Sequence, residues 1–245
     1  GVTAAEALAA RGHSVDLYER SSRIGGNVTV GSAPKIKYEI KNYLAYLEHV
    51  AEELQKAGKI NLFTNSAPTA EELKAKGYDV IITATGSRQV KPKIEGIDGD
   101  NVVFAVDVLK DPAVLGGAKD VVVVGGGVVG AETAYYLAYE HGKNVKVVEM
   151  DKFIMNHTCT ANRGHIIHYL EEKGVKLYNC TKLVKVEKDG VTVERNVHKN
   201  VPDVYNTWAP ILPENVLNPM EKKIKPQFRK ETMKCDKVVL ALGVQ

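Results

Sequence analysis

The sequence predicts an α/β chain made of two consecutive βαβ units with parallel sheets. Three observations carry this. A run of four valines, Val121 to Val124, leads through Gly125-Gly126-Gly127 into an Ala-rich helix, and the strand after that helix ends in an acidic residue, Glu149. The same order of Ala-rich helix, short strand and glutamate opens the chain, ending at Glu19. Finally, several apolar runs are continuous rather than alternating, which is the pattern of strands covered on both faces.

In order along the chain, GVTAAEALAARG reads as a helix closed by Gly12, and SVDLYE as a strand burying Val15 and Leu17. After Gly25-Gly26, the spacing of Ile36, Ile40, Tyr43, Leu47, Val50 and Leu54 predicts a long helix with one apolar face. Ile60 to Thr64 reads as a strand. TAEELKAKG forms a short helix, with Thr69 and Glu72 spaced as a capping box, and DVIITA, Asp79 to Ala84, has the composition of a buried parallel strand. Lys91 to Asp100, with Pro92, Gly96 and Gly99, reads as a linker or a domain crossover. A complete second unit follows: strand from Asp120, glycine turn, helix AETAYYLAYEHG and strand NVKVVE. A helix from about Thr160 to Gly174 comes next, then LVKVEKDGVTVER, whose alternation across Asp189-Gly190 predicts a tight hairpin. From Val201 to Lys234 the periodicity disappears, and five of the nine prolines and Trp208 lie there, so this segment reads as a surface excursion. DKVVLALG, to Gly243, is a last buried strand. The expected division is residues 1–117 and 118–245, with the excursion at 201–234.

Composition narrows the function classes. Lys plus Arg number 33 against 30 Asp plus Glu, a net charge of +3, far from the basic field that binds nucleic acid or anionic membrane by charge alone. The longest apolar run, Val121 to Ala131, is interrupted by glycines and falls short of the roughly 20 residues that span a bilayer. Three cysteines, Cys159, Cys180 and Cys235, occur in no CxxC spacing, which disfavours a disulfide scaffold and fits a reducing, cytoplasmic setting. The chain opens at Gly1 without an initiator Met and reads as a piece of a longer one.

The chemistry concentrates in one motif. Gly125, Gly127 and Gly130 form GxGxxG between a strand and a helix, with Glu149 nineteen residues beyond the last glycine. Such a turn brings backbone amides and the positive end of the helix dipole to a pyrophosphate, and the carboxylate accepts from ribose hydroxyls while repelling a 2′-phosphate. The expected ligand is NADH rather than NADPH. Val128 and Val129, inside the same motif, and Gly243, at the end of the last strand, are placed with the cofactor-binding residues. Gly1 and Glu19 repeat the terminal glycine and the acid at a separation of eighteen, and Ile24-Gly25-Gly26-Asn27 and Ala84-Thr85-Gly86 supply further turns for a second nucleotide. The fold class is therefore two Rossmann-like dinucleotide-binding units, the first truncated, with a β-hairpin and a Pro-rich excursion.

The succession ERSSRIGGN, ITATGSR, VVVVGGGVVGAE, VVE and VVLALG resembles the two-dinucleotide flavoproteins of the pyridine nucleotide disulfide oxidoreductase fold. Together with APKIKYEIKNYLAYL, it is most similar to the C-terminal half of multidomain old yellow enzyme flavoproteins, the 2-enoate and 2,4-dienoyl-CoA reductases. The resemblance implies that Gly1, Glu19, Arg20, Gly25, Gly26, Asn27, Ala84, Thr85 and Gly86 face FAD, and that Gly125, Gly127, Gly130 and Glu149 face NADH. It also implies an N-terminal FMN barrel that reduces an activated C=C bond of a small-molecule substrate, a [4Fe–4S] cluster between the flavins, and a homo-oligomer. By the same resemblance the first strand and first glycines of the FAD unit precede Gly1, and a last FAD-contacting Gly-Asp segment follows Gln245. No cysteine pair follows Gly26, so disulfide reduction is disfavoured. A reductase of a small redox protein and a non-catalytic nucleotide-binding module are the competing readings.

Three other groups of residues have chemistry of their own. His157, His165 and His168 have the spacing of either metal ligands or exposed helix positions. Lys222, Lys223, Lys225, Arg229, Lys230 and Lys234 read as a solvated basic loop, with docking of an acidic partner or CoA phosphate as the alternative. Glu132 has the side chain of a general base, but the family resemblance implies a helix residue near the nicotinamide end rather than a proton donor, and Tyr135 and Tyr136 read as packing residues.

Overall fold

The computed structural model describes residues 1–156, 158–207, 216, 219 and 222–245. The chain forms two compact units, Gly1–Ser87 and Arg88–Gln245. Residues 88–117, which the sequence reading assigned to the first unit, fold with the second, because strand β3 (Val102–Phe104) lies in the second unit's sheet.

In the first unit, helix α1 (Val2–Ala10) is closed by Gly12, whose φ of +85° lets its amide turn back to the carbonyl of Ala9. Strand β1 (Val15–Tyr18) follows, then α2 (Asn27–Gly31), α3 (Tyr38–Lys56), β2 (Ile60–Phe63) and α4 (Ala70–Ala75). The capping box forms as read: Glu72 donates its amide to Thr69 Oγ1, and Thr69 returns its own to Glu72 Oε2. The buried face of α3 is Leu44, Leu47 and Ala51. Tyr43, expected on that face, is 45% exposed; the stripe passes through the neighbouring Leu44 instead, four residues after Ile40 and three before Leu47.

Only β1 and β2 pair in this unit, in parallel from Val15↔Ile60 to Tyr18↔Phe63. The expected strand at Asp79–Ala84 is absent. Val80, Ile81 and Ile82 are 75%, 45% and 56% exposed and sit in no regular element. The composition suits a buried strand, but a strand exists only through a hydrogen-bonded neighbour, and the described residues bring none alongside this run.

After β3 come α5 (Ala105–Lys110), β4 (Asp120–Val124), α6 (Val128–Tyr135), β5 (Asn144–Val148), α7 (Thr160–Glu172), β6 (Lys176–Tyr178), β7 (Thr181–Glu187), β8 (Gly190–Asn196), β9 (Phe228–Lys234) and β10 (Lys237–Leu240). The last turn of α6 continues into a π-helical segment, Tyr136–Glu140. The parallel sheet runs β3-β10-β4-β5-β6, and β7-β8-β9 form a separate antiparallel sheet. Val121 to Val124 are all buried between the layers, as their unbroken apolar run required. The two sheets share a core in which Val122, Val124, Val238 and Leu240 meet Leu183, Val186, Val191 and Val193.

The structure departs from the sequence pattern at the hairpin and at the excursion. The hairpin turn is Lys188-Asp189, with Gly190 already paired to Glu187 as the first residue of β8. Gly190 is needed for close approach rather than for the turn, since a β-carbon there would lie 2.4 Å from the carbonyl oxygen of Met233 on β9. The excursion also ends earlier than expected, because its last seven residues form β9, paired along its length to β8. Its burial gives no alternation to read: of these seven only Met233 is buried, as befits an edge strand with one face in solvent. Trp208 and His157 lie outside the described residues. Among the described residues, no helix is long and apolar enough to cross a membrane.

Candidate nucleotide-binding site

The second unit's site is set at the C-terminal end of β4. There the chain must turn sharply from the sheet into α6, and three of the four glycines of the turn are pressed by neighbouring protein. Gly125 takes φ +101°, and a β-carbon on it would lie 2.4 Å from the carbonyl oxygen of Ala241 at the end of β10. Gly130, one turn into α6, sits against Gly125 itself, 1.8 Å separating a would-be β-carbon from that carbonyl oxygen. Gly126, a variable position of the motif, is no less constrained: its β-carbon would meet Ile154 Cδ1 at 2.7 Å and Glu149 Cβ at 2.9 Å. Gly127 differs from all three. It has an ordinary φ of −66° as the N-cap of α6, and nothing within 4 Å of its β-position.

That contrast separates two jobs. Gly125, Gly126 and Gly130 are glycines because protein presses on them, whereas the space beside Gly127 is open. Open space over a helix N-terminus, with the first-turn amides of Val128, Val129 and Gly130 lacking acceptors four residues back, is what a pyrophosphate requires. No side chain caps this helix end, and Val128 and Val129 are 39% and 46% exposed beside it.

Glu149 follows the last residue of β5, half-buried, with its carboxylate fixed on both sides. Oε2 accepts from the amide of Gly126 at 2.6 Å, and Oε1 accepts from the amide of Asp151 at 2.8 Å. Each oxygen keeps further acceptor capacity, so the carboxylate can still receive hydroxyl donors. Gly243 has φ +88° beyond β10, with nothing within 4 Å of its β-position. The sequence spacing located Glu149 and three of the glycines, but it did not identify Gly126, whose packing depends on Ile154 twenty-eight residues later.

The first unit presents its residues differently. Glu19 closes β1, with Oε1 accepting from the amide and the hydroxyl of Ser21, both at 2.8 Å. Gly25 has φ +124° and packs on Leu44 and Thr29, while Gly26, φ +50°, is the N-cap of the five-residue α2. Gly1 is the N-cap of α1. Arg20 and Asn27 are exposed, and so are Ala84, Thr85 and Gly86, beyond the run that forms no strand. The fit to an adenine dinucleotide is therefore good at Gly125 to Glu149. For FAD it is partial: the described residues supply an acid, Glu19, after β1, while the Ala84–Gly86 turn has no strand to present it.

The remaining candidates take structural places. His165 and His168 stand against the ring of Tyr169, at 4.7 and 6.0 Å between centroids. Tyr135 and Tyr136 are buried, and Tyr135 stacks on Tyr139. Lys230 lies on β9, and Arg229, also there, pairs with Glu231.

The profile of the family described as pyridine nucleotide-disulphide oxidoreductase matches residues 1–245. The chain is 41% identical over 152 residues to an NADH oxidase of Thermoanaerobacter brockii, covering 61% of this chain and 23% of that protein. It is 34% identical over 194 residues to bilirubin reductase of Mediterraneibacter gnavus, covering 79% and 29%, and 31% identical over 204 residues to cinnamate reductase of Clostridium sporogenes, covering 82% and 29%. Among solved structures, a 2-naphthoyl-CoA reductase in complex with 2-naphthoyl-CoA superposes with a TM-score of 0.79 at 28% identity, over 99% of this chain and 31% of that one. The chain thus spans less than a third of the length of each of these relatives.

Proposed function

Because the chain belongs to the pyridine nucleotide-disulphide oxidoreductase family, we propose that it is the nucleotide-handling portion of a longer NADH-dependent flavoprotein reductase acting on activated C=C bonds. Family membership makes it an oxidoreductase with places for FAD and NAD(P)H. The finer reading is that NADH is the donor, that FAD is the first acceptor, and that a remaining portion carries a [4Fe–4S] cluster and an FMN barrel where an enoate or enoyl-CoA is reduced. Its support is the names of the relatives: cinnamate, bilirubin and 2-naphthoyl-CoA reductases each match over most of this chain and only about 30% of their own length.

The observation that carries the NADH assignment is the doubly held carboxylate of Glu149 beside the open face of Gly127. The chain's own work is binding and orientation. Amides at the start of α6 neutralise the pyrophosphate, Glu149 fixes the adenosine ribose, and the glycines let the backbone approach. The hydride chemistry belongs to the bound cofactors.

Rapid mixing of the full-length protein with NADH or NADPH, followed by flavin absorbance, tests this. Bleaching of the flavin by NADH at much lower concentration than by NADPH, with reoxidation on adding cinnamate or an aryl-CoA thioester, is the expected result. Bleaching by NADH with reoxidation only by a small redox protein would move the assignment to a redox-protein reductase. No bleaching by either nucleotide would leave a binding module without turnover.

A further inference from the structure

Among the described residues Arg163, on α7, is the largest fully buried side chain and has no carboxylate partner. A guanidinium in that position is costly to bury, so what it does touch is informative. Its Nε donates to the carbonyl oxygen of Ile154 at 2.9 Å, and its Cζ lies 5.5 Å from the ring centroid of Phe153. Nη1 and Nη2 are buried without a described acceptor.

The peptide bond it grips is unusual. The Ile154 carbonyl and the Met155 amide belong to one peptide plane, and the Met155 amide donates to the carbonyl oxygen of Gly126 at 2.7 Å. A trans peptide points its C=O and N–H in opposite directions, so this single plane spans from Arg163 on one side to the glycine turn on the other. Met155 itself is held at φ +54°, a conformation that a non-glycine residue keeps only where its surroundings impose it. Beyond Gly126 the chain of contacts continues, because the amide of that same glycine is the donor to Glu149 Oε2. Ile154 Cδ1 fills the other face of Gly126.

We propose that Arg163 is a positioning residue for nucleotide binding: through the Ile154–Met155 peptide it fixes Gly126, and through Gly126 it fixes the carboxylate of Glu149. It touches no ligand. Its effect is to pre-set the turn and the acid before the nucleotide arrives, which lowers the ordering cost of binding. This rests on the nucleotide site proposed above.

The test compares full-length wild type with Arg163→Met, which keeps the bulk and removes the donor. Three quantities are read: hydrogen exchange at the Met155 and Gly126 amides without ligand, the NADH and NADPH dissociation constants, and kcat against KM for NADH. The expected result is faster exchange at both amides, NADH binding weakened about tenfold with kcat nearly unchanged, and a reduced preference for NADH over NADPH, a loss of the size of one hydrogen bond to a charged group. Arg163→Lys, which can still donate to Ile154 O, should recover part of all three and serves as the measured variant if the Met protein does not fold. A merely structural arginine would lower Tm while leaving exchange at those amides, the affinity and the preference as in wild type, and that result overturns the proposal. If wild type itself binds neither nucleotide, the site assignment fails first; if wild type binds and the variant binds equally well, only the role of Arg163 fails.

Discussion

The β-position of Gly130 lies 1.8 Å from the carbonyl oxygen of Gly125, so the start of α6 and the turn before it are in direct backbone contact. Backbone cannot step aside as a flexible side chain can. Gly130→Ala should therefore destabilise the protein by about 3 kcal/mol or displace the turn altogether. Gly127→Ala should do the opposite: with an ordinary φ and open space around it, the fold should lose less than about 1 kcal/mol while NADH affinity drops, since the methyl stands where a phosphate must approach. Denaturant unfolding and NADH titration on both variants check the pair, and equal stability losses would undo the division of roles among these glycines.

Glu149 answers for both shape and charge. Its two oxygens each accept from a separate backbone amide, of Gly126 and Asp151, and a glutamine can offer an acceptor to only one of them. Glu149→Gln should cost about 1 to 2 kcal/mol in stability and weaken NADH binding. Glu149→Arg should level or reverse the preference between NADH and NADPH, because a guanidinium pairs with a 2′-phosphate. Dissociation constants for both nucleotides decide it; an unchanged ratio in the Arg variant would remove Glu149 as the selector.

How much of this was legible in the sequence depends on the distance over which each feature is determined. Gly125, Gly127, Gly130 and Glu149 belong to one strand-turn-helix-strand passage, and their spacing fixes their places. Gly126 and Arg163 acquire meaning only when Ile154 and Met155 fold between them, which no local pattern announces. β9 was hidden because an edge strand with one buried side chain has nothing to alternate. Asp79–Ala84 shows the reverse, a strand-like composition that lacks the neighbour that would make it a strand. Tyr43 stands one position off the buried stripe, and one position turns a side chain through about 100° on a helix of 3.6 residues per turn.

Acid should loosen the second unit through Asp236. Its Oδ2 accepts from the amides of Lys119 and Asp120 at 2.7 and 2.9 Å, and these bonds, that of Asp120 foremost, hold the carboxyl below the ordinary 3.8 of an aspartate. A folded-state value lower than the unfolded one means that stability is present in full above the ordinary value and is lost as pH falls through the folded one. Asp236→Asn keeps an oxygen that can accept both bonds but does not titrate there. The wild type should thus lead the variant in stability at neutral pH, and the lead should vanish in strong acid. Parallel unfolding curves from neutral pH down to about pH 2 read this directly; a constant gap between the two proteins would show that the charge is irrelevant.

The two units should differ in what they hold when these 245 residues are produced by themselves. The second unit has a five-stranded parallel sheet, the turn at Gly125 to Gly127 seated on it, and Glu149 already fixed by two amides. The first has two paired strands, and a sheet of that size has little stability of its own in water. Beside it, Val80 to Ile82 stand exposed where a further strand alongside would cover them, and Thr85 and Gly86 follow in the same irregular stretch. An FAD pyrophosphate needs amides presented from a strand-anchored turn, and the described residues of this unit provide none. The expected outcome is appreciable NADH binding, little or no FAD retained through purification, and hydrogen exchange that is fast across residues 79–86 but slow across Val121 to Val124. Tightly bound FAD at one per chain would show that the first unit is complete as it stands, and loss of NADH binding together with FAD would show that the second unit depends on the first.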